Sequence, residues 1–213
     1  MEELHARIAA VGLTAVGSFG FALAGGYAVQ VHGLLRRRSD DVDLFTDRLD
    51  PAAFAQAVRT AISAYEDAGF HVEVEVSAEV FARLRLTDPS GEPTKVEFAC
   101  DWRAHQPVQL DIGPVLHPDD AVANKVTALF GRAAPRDYID VHAALVSDRY
   151  TPDRLLALAK EHDDGFDPDW FARALLAVDR WPDREYEAYG LDPARVEQMR
   201  VDLRAWAQRI TAR

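Results

Sequence analysis

Two aspartates separated by one residue, Asp41 and Asp43, are the residues of this chain best suited to chemistry. They begin the sequence DVDLF, whose alternation of polar and apolar residues predicts a half-buried strand. Alternate side chains of a strand point to the same face, about 6.5–7 Å apart along the backbone. Two such carboxylates can bind a pair of Mg²⁺ ions, which would stabilise the attacking and leaving oxygens of a displacement at phosphorus. The alternative is a strand end with two solvated aspartates.

A glycine pair, Gly25 and Gly26, lies upstream of the aspartates. It follows the apolar run 19–24, which predicts a buried strand, and precedes a helix predicted over 27–35. Glycine allows a ligand to approach the backbone closely, and a helix that begins there directs free N–H groups toward an anion. The pair is therefore a candidate phosphate site. Its spacing matches neither a Walker loop nor a dinucleotide fingerprint, so an ordinary strand-to-helix turn is the alternative.

Three consecutive arginines, Arg36 to Arg38, are followed by Ser39 directly before the aspartates. The chain as a whole is acidic, with 35 acidic and 24 basic side chains and a net charge of −11. Such a chain repels nucleic acid in bulk, so any contact with phosphate must be local. The basic run suits a triphosphate or an RNA backbone, with Arg38 and Ser39 as the candidate ligands. A solvated charged loop is the alternative.

A second block of charged residues lies about 80 residues further along the chain, on two predicted helices. Lys125 lies at the edge of the apolar face of a helix predicted over 119–131, where it either extends over the core or points to a site. Asp137 and Asp140 share one side of the next helix. Lys125 forms a structural ion pair with one of these aspartates, or it contacts the phosphates of a nucleotide while Asp137 or Asp140 orients it.

Together, the two blocks resemble a known enzyme family. The glycine pair, the sequence RRRS and the sequence DVDLF resemble motif I of the nucleotidyltransferase superfamily, in particular the AbiEii-type toxins of type IV toxin–antitoxin systems and their mycobacterial relatives. The sequence KVTALFGR followed by RDYIDV resembles a second signature of these toxins. The superfamily's Gly-Ser is Gly-Gly here, so its serine contact to phosphate is either missing or supplied by Ser39.

The resemblance implies an enzyme that moves a nucleoside monophosphate from a nucleoside triphosphate to an acceptor hydroxyl with Mg²⁺ or Mn²⁺. For the toxins it implies that the acceptor is RNA, at the 3′ end of a tRNA, and that a cognate antitoxin is the partner. The alternatives are transfer to a small molecule such as an aminoglycoside, transfer to a protein hydroxyl, and a binding module that keeps the fold without catalysis.

The resemblance also implies a third carboxylate on a strand near the two aspartates. Residues 80–87 and 94–100 predict two strands joined by a turn-rich sequence. Glu97, in the middle of the second strand, is the candidate metal ligand or general base that accepts the proton of the attacking hydroxyl. Asp101 is the alternative candidate. If neither carboxylate is functional, these charged side chains simply form an exposed face of the strand.

Composition limits the remaining possibilities. The 213-residue chain is 48% hydrophobic, enough for a sizeable core in one or two domains. Cys100 is the only cysteine, which excludes an internal disulfide and a cysteine-based zinc site. The charged N-terminal sequence argues against a signal peptide, and no apolar run is long enough to span a bilayer. We therefore expect a cytoplasmic enzyme with no membrane partner.

The order of predicted elements indicates an α/β (α+β) fold. A mixed-sheet nucleotidyltransferase domain is expected over residues 1–116, and a helical domain that closes the active cleft is expected over residues 117–213. Lys125 and Asp137 would then lie on the helical side of the cleft. Four capping side chains each precede a proline and mark predicted helix starts, at Asp50-Pro51, Thr151-Pro152, Asp167-Pro168 and Asp192-Pro193.

Overall fold

The computed structural model describes residues 1–35, 37 and 39–212, which divide into two compact units. Unit 1 comprises Met1–Val31 and Ser39–His117 and carries the strands. Unit 2 is helical and combines His32–Leu35 and Arg37 with the described residues from Pro118 onward. Strands and helices in this arrangement confirm the predicted α/β (α+β) class. Within the described ranges, no helix is both long and apolar enough to cross a membrane.

The strands of unit 1 form one mixed sheet. Within the part of the chain that the structure describes, it has seven strands in the order β3-β4-β5-β2-β1-β7-β6. The pairs β2–β5 and β1–β7 are parallel, and the other neighbours are antiparallel. The strands are β1 (Ala22–Leu23), β2 (Asp41–Thr46), β3 (His71–Ser77), β4 (Phe81–Thr87), β5 (Pro93–Cys100), β6 (Val108–Leu110) and β7 (Gly113–Val115).

Three helices complete unit 1: α1 (Glu3–Val16), α2 (Gly25–Val31) and α3 (Pro51–Asp67). Helix α3 begins as predicted, because the Asp50 carboxylate accepts hydrogen bonds from the N–H groups of its first turn. The core of the unit contains apolar side chains of α1, α3 and the sheet, all at most 4% exposed: Ile8, Leu13, Val42, Leu44, Phe54, Tyr65, Leu84, Val96 and Phe98.

Unit 2 is built around buried aromatic side chains. Phe171 and Trp206 pack edge to face with ring centres 5.2 Å apart, and Tyr138 and Tyr186 are fully buried beside them in the same cluster. The predicted caps at Thr151, Asp167 and Asp192 are confirmed, since each side chain accepts a backbone N–H of the following helix. The helices are α4 (Pro118–Arg132), α5 (Pro135–Leu145), α6 (Pro152–His162), α7 (Pro168–Leu176), α8 (Asp183–Glu187) and α9 (Pro193–Thr211).

Several element bounds differ from the prediction. The strand predicted over 19–24 is limited to β1, because Gly17–Phe19 form a 3₁₀ turn that ends at Gly20, where φ is 80°. Helix α2 begins at Gly25 and ends at Val31, earlier at both ends than the predicted 27–35. Strand β7 and helix α8 were not predicted. Elements of three to five residues are too short to show a hydrophobic period.

We predict that Gly12→Ala lowers the free energy of unfolding by up to about 2 kcal/mol, measured by urea denaturation. A Cβ at Gly12 in α1 would overlap the Tyr65 hydroxyl of α3 and lie 2.7 Å from Leu44 Cδ1 of β2. Overpacking of this kind costs about 1–3 kcal/mol and outweighs the gain of about 1 kcal/mol in helix propensity. The matched control is Gly17→Ala, where φ is −59° and no heavy atom lies within 4 Å of the Cβ position. If both variants were as stable as the wild type, α1 would not be packed closely at Gly12.

Candidate active site

Three carboxylates lie together on unit 1. Asp41 and Asp43 of β2 and Glu97 of β5 each contribute one oxygen atom, and these three atoms all lie within 4.8 Å of one another. Asp43 and Glu97 are direct neighbours in the parallel pairing of the two strands. Carboxylates held this close repel one another, and a divalent cation would remove that repulsion. The oxygen-only donor set is the one that Mg²⁺ and Mn²⁺ prefer, so these residues fit the predicted metal site.

The strand alternation that builds the core also orients these carboxylates. Val42 and Leu44 of β2 are completely buried, and so are Val96 and Phe98 of β5. Because neighbouring residues of a strand point to opposite faces, Glu97 projects from the face of β5 that lies away from these core side chains. Like Asp41, it is half-buried, while Asp43 is only 9% exposed.

Asp101, the alternative to Glu97, lies just beyond the end of β5. Asp101 follows the last residue of β5, and its N–H group donates to the carbonyl of Thr46 at 2.8 Å. It is not part of the described carboxylate cluster, whose third member is Glu97. The structure therefore places Glu97, the first choice from the sequence, beside Asp41 and Asp43.

The glycine pair also lies next to this cluster. Gly25 has a φ of 59°, and a Cβ at this position would overlap the carboxylate of Asp43. The backbone is tied to the same residue, because the N–H of Ala24 donates to the Asp43 carbonyl at 2.8 Å. Gly26 is buried in the first turn of α2. The closeness of Asp43 is thus one reason for glycine at position 25, separate from any contact with phosphate.

An arginine that the sequence interpretation did not identify contacts the cluster. The Arg83 guanidinium on β4 donates to Glu97 Oε1 through Nε at 2.8 Å, and Nη2 lies 2.7 Å from the same oxygen. Arg83 is the direct antiparallel neighbour of Glu97. The sequence did not reveal this pair, because counting outward from the predicted strands 80–87 and 94–100 pairs position 83 with position 98. The observed register differs by one residue, since Thr87 pairs with Pro93, and a shift of one residue changes which side chains share a face.

In unit 2, Lys125 belongs to a buried ionic network. The Arg37 guanidinium binds both oxygens of Asp140, at 2.6 and 2.7 Å, and the Lys125 ammonium lies 3.1 Å from Asp140 Oδ2. Burial would raise the pKa of Asp140, but the positive charges of Lys125 and Arg37 outweigh it and hold this pKa below its usual value. The Arg37 guanidinium also lies over the ring of Tyr189, 5.4 Å from its centre.

Asp137, the other candidate partner of Lys125, makes different contacts. Its two oxygens accept hydrogen bonds from Arg132 at 2.8 and 2.9 Å, and Oδ2 also accepts the N–H of Ala134 at 3.1 Å. The side chain is completely buried at the start of α5, where a carboxylate also interacts favourably with the helix dipole. Asp140 is therefore the aspartate that contacts Lys125, and Asp137 holds the first turn of its own helix.

The remaining phosphate candidates are Arg38 and Ser39, which precede Asp41 in the sequence. Ser39 is buried two residues before Asp41. Arg38, which was predicted to contact phosphate, lies outside the described residues. The phosphate-binding roles of Gly25, Gly26, Arg38 and Ser39 stay predictions.

Comparison with known proteins identifies the class to which this chain belongs, that of the nucleotidyltransferases. Residues 18–212 match the model of the family described as "Nucleotidyl transferase AbiEii toxin, Type IV TA system". The chain belongs to this toxin family, and its function is that of a nucleotidyltransferase. The predicted resemblance is confirmed, and membership in an enzyme family argues against a binding module without catalysis.

Solved structures show the same fold at low sequence identity. JHP933 from Helicobacter pylori is 17% identical, with a TM-score of 0.61, over 99% of this chain and 93% of that one. MenT4, a nucleotidyltransferase toxin from Mycobacterium tuberculosis H37Rv, is 18% identical, with a TM-score of 0.64, over 96% of this chain and 83% of that one. No curated protein matches the chain.

The depressed pKa of Asp140 leads to a prediction about acid stability. Its pairing stabilises the folded state above the pKa of the unfolded aspartate, about 4, and this contribution is lost as the pH falls through the lower folded pKa. We predict that Asp140→Asn lowers the free energy of unfolding at pH 7 by about 3–5 kcal/mol, because two buried cations lose their counter-charge. The variant should also lose less further stability than the wild type below about pH 4.

Urea denaturation at several pH values measures both effects. The matched control is Asp148→Asn, because Asp148 is an exposed aspartate of the same unit. We expect this control to follow the wild-type curve. If Asp140→Asn retained the full acid dependence, the stabilising charge would lie elsewhere.

Proposed function

We propose that this protein is a metal-dependent nucleotidyltransferase that transfers a nucleoside monophosphate to RNA, at the 3′ end of a tRNA. The observation that carries the proposal is the cluster of Asp41, Asp43 and Glu97 oxygens within 4.8 Å. These residues would hold Mg²⁺ or Mn²⁺. When bound, such ions supply positive charge to the triphosphate and lower the pKa of the attacking hydroxyl.

The residues of the chain would mainly position and neutralise the reactants. Gly25, Gly26 and Ser39 lie close in sequence or space to the aspartates, and we propose that they and Arg38 contact the triphosphate. Asp43 is mostly buried, which supports a fixed orientation of its carboxylate. In phosphoryl transfer, positioning and electrostatic stabilisation account for most of the catalysis.

Lys125 is the proposed cation of unit 2 for the triphosphate. Its ammonium provides three N–H donors, and the contact with Asp140 uses one oxygen acceptor at 3.1 Å. Arg37 binds the same carboxylate in a bidentate manner, which holds Asp140 in one orientation. We propose that Asp140 and Arg37 position Lys125, and that Lys125 binds phosphate.

The family and the charge of the chain both bear on the acceptor. The family comprises nucleotidyltransferase toxins of type IV systems, which implies a cognate antitoxin and a nucleoside triphosphate as substrate. The net charge of −11 restricts an RNA acceptor to local contacts. We propose the cytoplasm, where nucleotides and tRNA are found, as the place of action.

Incubation with labelled triphosphates and purified tRNA should label the tRNA 3′ end. Labelling of aminoglycosides or of protein hydroxyls instead would contradict this acceptor.

We predict that Asp43→Asn lowers the rate of transfer by more than about 100-fold and leaves the fold intact. The substitution keeps the size of the side chain but removes a charge from the proposed metal site, and single electrostatic groups of active sites contribute about this much. Transfer of labelled nucleotide and Mn²⁺ binding measured by calorimetry should both be lost. Asp111→Asn, at an exposed position of the same unit, is the matched control. An unchanged rate for Asp43→Asn would refute the metal assignment.

We predict that Lys125→Met reduces kcat/KM for the triphosphate by an amount equal to about 2–4 kcal/mol of transition-state stabilisation. Methionine preserves most of the length and packing of the side chain but provides no charge for the phosphates. Steady-state kinetics and thermal unfolding should be measured on the same preparations. A loss of stability with unchanged kcat/KM would instead identify Lys125 as a structural partner of Asp140.

A further inference from the structure

One side chain outside the carboxylate cluster touches it directly. Arg83 approaches Glu97 with two nitrogen atoms, Nε at 2.8 Å and Nη2 at 2.7 Å, and both contacts go to Oε1. The other carboxylate oxygen, Oε2, is then the oxygen of Glu97 that is suited to binding a cation. The pair is partly buried, with the Arg83 side chain 35% and the Glu97 side chain 20% exposed.

The register of the sheet places this arginine on the side of Glu97 opposite the aspartates. Arg83 of β4, Glu97 of β5 and Asp43 of β2 are direct neighbours in one row across three strands. Arg83 can therefore bind and orient Glu97 without lying between Glu97 and Asp43. Its guanidinium also lies over the ring of Phe81, with 5.7 Å to the ring centre, which limits its own freedom.

A glutamate needs such a partner more than the two aspartates do. Its side chain has one more rotatable bond, and the negative charges of Asp41 and Asp43 favour conformations that point away from them. Side chains that hydrogen-bond to metal ligands fix the orientation of those ligands, and their loss typically weakens metal binding by about 10–100-fold.

We propose that Arg83 is a positioning residue of the divalent-metal site, which holds Glu97 by Oε1 so that Oε2 is presented to the cation. The inference rests on the proposed metal-dependent function. It assigns Arg83 no contact with the substrate or the metal.

The chain provides a matched control two residues away. Arg85 lies on the same face of β4 and pairs with Glu75 of β3, with Nε 2.6 Å from Oε1. Its direct neighbour on β5 is Lys95 rather than Glu97. Arg85→Ala therefore removes the same charge and the same side chain from the same strand without releasing Glu97.

The test is Mn²⁺ binding to the full chain, measured by isothermal titration calorimetry without nucleotide. We expect Arg83→Ala to weaken binding about tenfold, Arg83→Lys to restore most of the affinity, and Arg85→Ala to match the wild type. In the transfer reaction, the Mg²⁺ concentration that gives half-maximal rate should rise for Arg83→Ala, while the KM for the triphosphate at saturating Mg²⁺ should stay close to that of the wild type.

A double-mutant cycle shows whether Arg83 acts through Glu97. In a Glu97→Gln background, adding Arg83→Ala should cause no further loss of Mn²⁺ affinity. A further loss in that background, or unchanged or tighter binding by Arg83→Ala alone, would overturn the inference. Tighter binding would mean that the arginine charge opposes the cation.

The same titrations separate this inference from the proposed function. If the wild type binds Mn²⁺ and Asp43→Asn does not, the metal site stands, and equal affinities of Arg83→Ala and Arg85→Ala would overturn only the role of Arg83. If the wild type binds no Mn²⁺, the proposed metal site and the role of Arg83 are both wrong.

Discussion

Mutual repulsion among Asp41, Asp43 and Glu97 is the physical constraint on which the interpretation of this protein depends. Their oxygens lie within 4.8 Å, a separation that is unfavourable for three anions and favourable around a divalent cation. The strands impose this closeness, because the residues that alternate with the carboxylates are completely buried in the core, as Leu44 and Phe98 show. Moving the backbone positions of the three acidic residues apart would require those apolar side chains to leave the core.

Two further features of unit 1 follow from this crowding. Gly25 lacks a side chain where the Asp43 carboxylate would meet one, and Arg83 places a positive charge on Glu97. Unit 2 contains a related arrangement with the charges reversed, in which Asp140 lies between two cations, Arg37 and Lys125. Burying such groups costs several kcal/mol per ion, so this network adds little net stability compared with an apolar core. The proposed role of Asp140 and Arg37 in holding Lys125 in place would account for its presence.

The comparisons show that this fold is shared by proteins of low sequence identity. Solved relatives share 17–18% identity with the chain and superpose over almost all of it, with TM-scores of 0.61 and 0.64. At this identity the core can be repacked with other apolar residues, provided that volume and patterning are kept. The motifs around Asp41 and Lys125 carried the resemblance because they combine particular charged residues at a particular spacing.

The sequence alone determined what depends on local periodicity and chemistry. A strand period of two placed Asp41 with Asp43 and put Glu97 opposite Val96 and Phe98, and capping residues before prolines marked the helix starts. Tertiary structure alone decided which distant residues meet. In the folded protein Glu97, rather than Asp101, lies beside Asp41 and Asp43. Asp140, rather than Asp137, contacts Lys125. Asp140 also binds Arg37, which is 103 residues away in sequence. Such contacts depend on strand register and helix packing, which arise from the whole chain and leave no signal in the spacing of neighbouring residues.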